Sequence, residues 1–141
     1  MPAHKGLIVT QYIKMWPRRA FDIKQGKSFH PEIKRLLSQP GVYILYREDE
    51  PYYVGKASRQ LFRRLRSHAS NPKDKYYNFW NFFSAFVVPN QKHIPEVEGI
   101  LIASMPTDNS SVMRIDKISL PQEVADLLRN ERMIQIKHRT K

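Results

Sequence analysis

The chain has no cysteine among its 141 residues, which excludes disulfides and thiolate metal sites. No apolar run approaches the roughly 20 residues needed to cross a bilayer; no membrane partner is expected, although acidic membrane surfaces would also attract so basic a chain. Residues 1–14 mix Lys, Gln and His with apolar side chains and show no cleavable signal pattern. A cytoplasmic location is the expectation. Internal repeats, low-complexity tracts and a Gly-rich phosphate loop are all missing. The five histidines (His4, His30, His68, His93 and His138) lack zinc-like spacing. Acidic side chains are scarce, 13 Asp and Glu against 24 Lys and Arg, and the net charge is +11. An excess of that size in one domain points to a polyanion, with nucleic acid favoured over a merely solvated basic surface.

What is present suffices for a core. An apolar fraction of 41% and an aromatic fraction of 11% suit one ordinary domain over residues 1–141. Residues 7–15 are rich in β-branched and aromatic side chains and read as a strand, broken by Trp16-Pro17-Arg18-Arg19. Ser28 is an expected N-cap, with Pro31 and Glu32 in the first helical turn. Residues 42–46 are continuously apolar and suit a buried strand. After the polar turn 47–50, residues 51–55 return as its hairpin partner. A helix is expected from Ser58 to about Ala69, stopped by Asn71-Pro72. Residues 80–88 read as a third strand. Pro95 opens a helix that Pro106 ends. Residues 111–118 read as extended, 121–130 as helix, and 133–137 as a last short strand. The fold class is α/β (α+β), a small domain with a three-stranded core sheet.

The hairpin carries Gly41-Val42-Tyr43 and Tyr53-Val54-Gly55, and the residues that follow supply charge. A tyrosine hydroxyl, with an unperturbed pKa of about 10, becomes a plausible base only beside cations. Lys56 follows the second strand. Arg64 lies in the next helix, with His68 one turn later on the same face. Alone, Tyr43 and Tyr53 read as sheet aromatics. Arg59, Arg63, Arg64 and Arg66 cannot share one face, since Arg64 lies about 100° from Arg63 around the helix. One arginine can neutralise phosphate charge, and the others form a DNA-facing or solvated rim. Glu98 is the one strong carboxylate candidate, at the edge of an apolar helical face. A single carboxylate with water ligands fits Mg2+ or Mn2+, and an ordinary salt bridge is the plainer reading. Glu96 lies on a different face. Tyr76 and Tyr77, beside Lys73 and Lys75, are candidate DNA contacts, whereas the later aromatics of 79–86 read as core.

Residues 40–109 resemble the GIY-YIG nuclease domain. Gly41-Val42-Tyr43 and Tyr53-Val54-Gly55 stand for its two motifs. Leu61 to His68 looks like its helix, with Arg64 as the essential arginine, and Glu98 precedes Leu101-Ile102 as the family's metal-binding glutamate does. Spacing departs by one residue before Arg64 and by one after Glu98. The resemblance implies a three-stranded antiparallel sheet flanked by helices, with residues 1–39 and 110–141 as extensions. It also implies phosphodiester hydrolysis with one divalent metal. Tyr43 would be the general base, assisted by His68 or Lys56, and Tyr53 would position water or phosphate. Arg64 would stabilise the transition state, Glu98 would hold the metal, and Asn109 would support the site.

The expected activity is metal-dependent endonucleolytic cleavage of DNA, double-stranded or branched, in a repair, recombination or restriction role. The alternative is a non-catalytic nucleic-acid-binding module on the same scaffold. A monomer or weak homodimer is expected, because one site cuts one strand most simply.

Overall fold

A computed structural model describes residues 6–26, 28–109 and 115–139. In chain order the elements are β1 (Gln11–Pro17), a 3-10 turn (Arg18–Asp22), β2 (Lys24–Gln25), β3 (Ser28–Phe29) and α1 (Pro31–Leu36). There follow β4 (Gly41–Arg47), β5 (Glu50–Ala57), α2 (Leu61–Ser70), β6 (Phe82–Val87), a short 3-10 turn (Gln91–His93), α3 (Ile94–Ser104) and α4 (Gln122–Arg139). The main sheet is antiparallel in the order β1-β6-β4-β5. It therefore has four strands where three were expected. The extra strand comes from the N-terminal extension: β1 pairs with β6, Tyr12 opposite Phe86 and Trp16 opposite Phe83. Pro17 sits at the end of this edge strand, where no ladder donor is required of it, so the strand runs through Trp16 instead of stopping there.

Helices cover both faces of the sheet. Tyr43, Leu45, Ala57, Phe83, Ala85 and Val87 point to one face and pack with Leu61, Phe62 and Leu65 of α2. Val42, Ile44 and Val54 point to the other and pack with Ile94, Val97, Leu101 and Ile102 of α3. Burial on both faces explains why β4 reads as a continuous apolar run without alternation. Gly41 faces the carbonyl oxygen of Phe86 so closely that a Cβ would collide with it.

Three boundaries differ from expectation for definable reasons. Ser28 lies in a strand, and His30 caps α1, its Nδ1 accepting the Glu32 N–H at 3.2 Å. Pro31 forces the residue before it into extended geometry. α2 begins at Leu61 because the carbonyls of Gln39 and Leu37 capture the N–H groups of Leu61 (3.0 Å) and Phe62 (2.8 Å). The strand expected at 133–137 is part of α4. No Pro or Gly interrupts residues 122–139, so a helix once nucleated propagates through them. Of the expected extended stretch 111–118, residues 111–114 lie outside the described residues and 115–118 form no regular element.

Candidate active site

The β4–β5 register places Tyr43 opposite Gly55 and Leu45 opposite Tyr53. Tyr43 and Tyr53 thus share a face as diagonal neighbours, with ring centroids 6.4 Å apart. Gly55 has a steric duty: a Cβ there would collide with Cζ and Oη of Tyr43. The absent side chain lets the Tyr43 ring lie flat over the β5 backbone. From that position Tyr43 Oη meets His68 Nε2 of α2 at 2.7 Å. Both side chains are buried, Tyr43 with no exposed surface and His68 with 4%.

Asp74, in the connection between α2 and β6, completes a chain of contacts. Its Oδ1 is 2.8 Å from His68 Nδ1 and accepts the Tyr76 N–H at 2.9 Å. The Tyr76 ring stacks on Tyr53 with centroids 4.2 Å apart and stands edge-on to His68. The sequence reading missed Asp74, because the connection has no periodicity and the carboxylate sits six residues from its partner. The local signal was its turn chemistry, a side chain accepting the N–H two residues on.

These surroundings shift the titrations. Burial pushes the Tyr43 phenol well above its ordinary value, and the Arg64 charge pulls part of the way back. Tyr53 is raised by burial and by Tyr76, against Arg64. Burial holds His68 below its ordinary value although Asp74 favours its charged form. Burial alone would raise Asp74, but hydrogen bonds from His68, the Tyr76 N–H and Ser67 outweigh it and hold the carboxyl low.

Glu98 reaches the same neighbourhood from the other face of the sheet, on α3. Its side chain is 16% exposed, and Lys56 Nζ is 3.9 Å away. Burial raises its carboxyl, and Lys56 only partly opposes this. Its charge is felt at Tyr53, as is that of Arg64. The candidate residues therefore converge on β5 from both sides. Among the described residues no three His, Asp or Glu gather as a metal cluster. A lone, loosely paired and partly desolvated carboxylate suits a hard cation that keeps most of its waters. Asp74 is already engaged with His68, and Glu96 is exposed.

The remaining candidates are distributed around this cluster. Asn109 grips the outer edge of β5: Oδ1 accepts the Val54 N–H at 2.9 Å and Nδ2 donates to the Val54 carbonyl at 2.8 Å. Arg59, Arg63 and Arg64 line a shallow recess with Ala57, Ser58 and Gln60. Arg66 and Tyr77 turn elsewhere, Arg66 over the Phe29 ring at 5.5 Å and Tyr77 beneath the Arg18 guanidinium at 4.8 Å. Lys75 lies over Tyr76 at 5.3 Å, and Lys73 is exposed.

The GIY-YIG catalytic domain matches residues 39–104. Among solved structures, the chain is similar to the GIY-YIG N-terminal endonuclease domain of UvrC from Thermotoga maritima bound to its catalytic divalent cation, magnesium. The identity is 32% over 48% of this chain and 79% of that one, with a TM-score of 0.43. A point mutant of that Thermotoga maritima domain bound to its catalytic divalent cation is 31% identical over 52% and 84% of the two chains, with a TM-score of 0.44. A second, also with its cation, is 32% identical over 48% and 78%, with a TM-score of 0.43. No curated protein matches significantly. By the domain match and the sequence identity, the chain belongs to the GIY-YIG family of nuclease domains.

Proposed function

We propose that this chain is a metal-dependent endonuclease that hydrolyses DNA phosphodiester bonds. The observation that carries this reading is the buried 2.7 Å contact between Tyr43 and His68, with Arg64 on the same side of β5 and Glu98 on the other. A module that only binds DNA has no use for a neutral histidine aimed at a buried phenol. The net charge of +11 supplies the attraction for a polyanion, and Arg59, Arg63 and Lys73 are placed to meet its backbone.

In this reading Tyr43 accepts a proton from the attacking water and passes its own to His68. The water oxygen bonds to phosphorus, the bond to the sugar oxygen breaks, and that oxygen takes a proton from solvent. Arg64 stabilises the charge that builds on the phosphoryl oxygens. Tyr53, stiffened by its stack on Tyr76, orients the phosphate or the water. Tyr43 is covered in the free protein. Arg64 is exposed, and a phosphate that draws its guanidinium outward gives water a route to the phenol. Glu98 would hold a Mg2+ or Mn2+ ion, which supplies Lewis-acid polarisation of the phosphate when bound. Lys56 lies beside that carboxylate and assists in anchoring phosphate.

The test is cleavage of duplex, branched and damaged DNA with Mg2+ or Mn2+ by the wild type, Glu98→Ala and Arg64→Ala. Cutting by the wild type alone, with all three proteins folded, supports the proposal. Equal cutting by wild type and Glu98→Ala sinks it. Salt-sensitive binding with no cleavage under either metal selects the binding module.

A further inference from the structure

The connection between α2 and β6 brings one carboxylate to the inner end of the site, and its partners fix where the hydrogens lie. An ionised carboxylate can only accept hydrogen bonds. Asp74 is held ionised by His68, the Tyr76 N–H and the Ser67 hydroxyl. His68 Nδ1 therefore carries a hydrogen and donates it across 2.8 Å. With the ring neutral, Nε2 is left with its lone pair, and the Tyr43 hydroxyl 2.7 Å away is the donor.

We propose that Asp74 is a positioning residue for cleavage, holding the buried His68 ring in the tautomer whose Nε2 takes the proton from Tyr43. The inference rests on the nuclease reading above. As the Tyr43 O–H bond breaks, an N–H bond forms at Nε2, and the phenolate receives the proton of the attacking water. His68 later returns its proton to solvent. Asp74 stays ionised throughout and stabilises the imidazolium. The groups facing His68 are Tyr43 from β4, Tyr53 from β5, Arg64 from its own helix, and Asp74 and Tyr76 from the connection. Among the described residues Asp74 is the one carboxylate facing the ring, so removing it leaves the Arg64 charge acting there. Its bond to the Tyr76 N–H also ties the Tyr53–Tyr76 stack to the same anchor.

Nitrogen-15 NMR of the full chain reads the tautomer directly, without need of catalysis. The expected result is an Nδ1–H His68 in the wild type and a shift toward the Nε2–H form in Asp74→Ala. For DNA cleavage, Asp74→Ala should lower kcat by about 10- to 100-fold, at the modest end for proton-transfer groups, with KM changed less than about 2-fold. Asp74→Asn keeps an acceptor for the Tyr76 N–H but loses the charge. It should move the acid limb of the kcat–pH profile to lower pH, because His68 then protonates less readily. Asp74→Glu should recover part of the rate. An Nε2–H His68 in the wild type overturns the inference, and so does a folded Asp74→Ala with unchanged tautomer and kcat. If Asp74→Ala does not fold, an unmoved acid limb in Asp74→Asn overturns it. Wild-type protein that cuts no DNA refutes the nuclease reading, whereas a His68 tautomer indifferent to Asp74 refutes this inference alone.

Discussion

Two acid–base pairs lie on opposite sides of β5, and they are built differently. Asp74 and His68 meet at 2.8 Å with both side chains nearly buried, and among the described residues no buried side-chain polar atom is left without a partner. Glu98 and Lys56 are 3.9 Å apart, and the lysine is 57% exposed. The first pair is a closed network whose geometry is set by the fold. The second is loosely coupled, and its carboxyl is raised by burial that Lys56 only partly offsets. In the proposed mechanism the closed side would move a proton and the open side would meet a cation.

The largest expected effects test that division. Glu98→Ala should reduce metal-dependent cleavage by about 1,000-fold, and Arg64→Ala by about 100- to 1,000-fold. Circular dichroism and melting should show both variants folded. If removing Glu98 unfolds the chain instead, its pair with Lys56 is structural and the contrast fails.

Gly55→Ala should strike the closed side. A Cβ at residue 55 drives into the Tyr43 ring, so stability should fall by about 1–3 kcal/mol in urea unfolding. The Tyr43–His68 contact should be lost as well, and cleavage with it. A variant that folds and cuts normally would show that Tyr43 can act from another position.

A smaller effect concerns acid. His68 has a folded pKa below its unfolded value of about 6.5. The unfolded chain therefore binds the proton first as pH falls. The contribution of the neutral ring is fully present above about pH 6.5 and declines as pH drops below it toward the folded pKa. The slope from this one group is at most about 1.4 kcal/mol per pH unit. Urea midpoints at pH 7.5 and 5.5 should show the loss in the wild type and less of it in His68→Gln.

The smallest change is expected on the loose side. Glu98→Gln, melted in EDTA, should match the wild type or exceed it by less than about 1 kcal/mol, since a partly desolvated charge is removed. A clear loss of stability would show the pair with Lys56 to be tighter than its geometry indicates.

The sequence revealed the open side of this comparison better than the closed one. Glu98 stands out as a charge beside an apolar helical face, and Arg64 and His68 announce themselves by their one-turn spacing. The hairpin holding Tyr43 and Tyr53 is legible because β4 is apolar at successive positions and a polar turn follows. Asp74 left only its turn chemistry, because its contact with His68 depends on a loop folding back onto α2. The same reason hid the pairing of β1 with β6. The strand character of residues 11–15 is local, but their partner lies some seventy residues on, and only packing decides it. Arg66 and Tyr77, expected as DNA contacts from their basic neighbours, also lie against Phe29 and Arg18, contacts that tertiary packing sets and local sequence does not.

β5 is the outer strand of the sheet, and an uncovered edge invites pairing with a foreign strand. Here the amide of Asn109 takes both backbone groups of Val54, and the Asp108 N–H binds the Tyr52 carbonyl at 2.8 Å. One side chain and one peptide thus imitate the first rung of a missing neighbour. Losing that rung would expose the strand that carries Tyr53 and Gly55. The hazard would then be self-association along the sheet, which would be sharper still for a protein concentrated on DNA as proposed above.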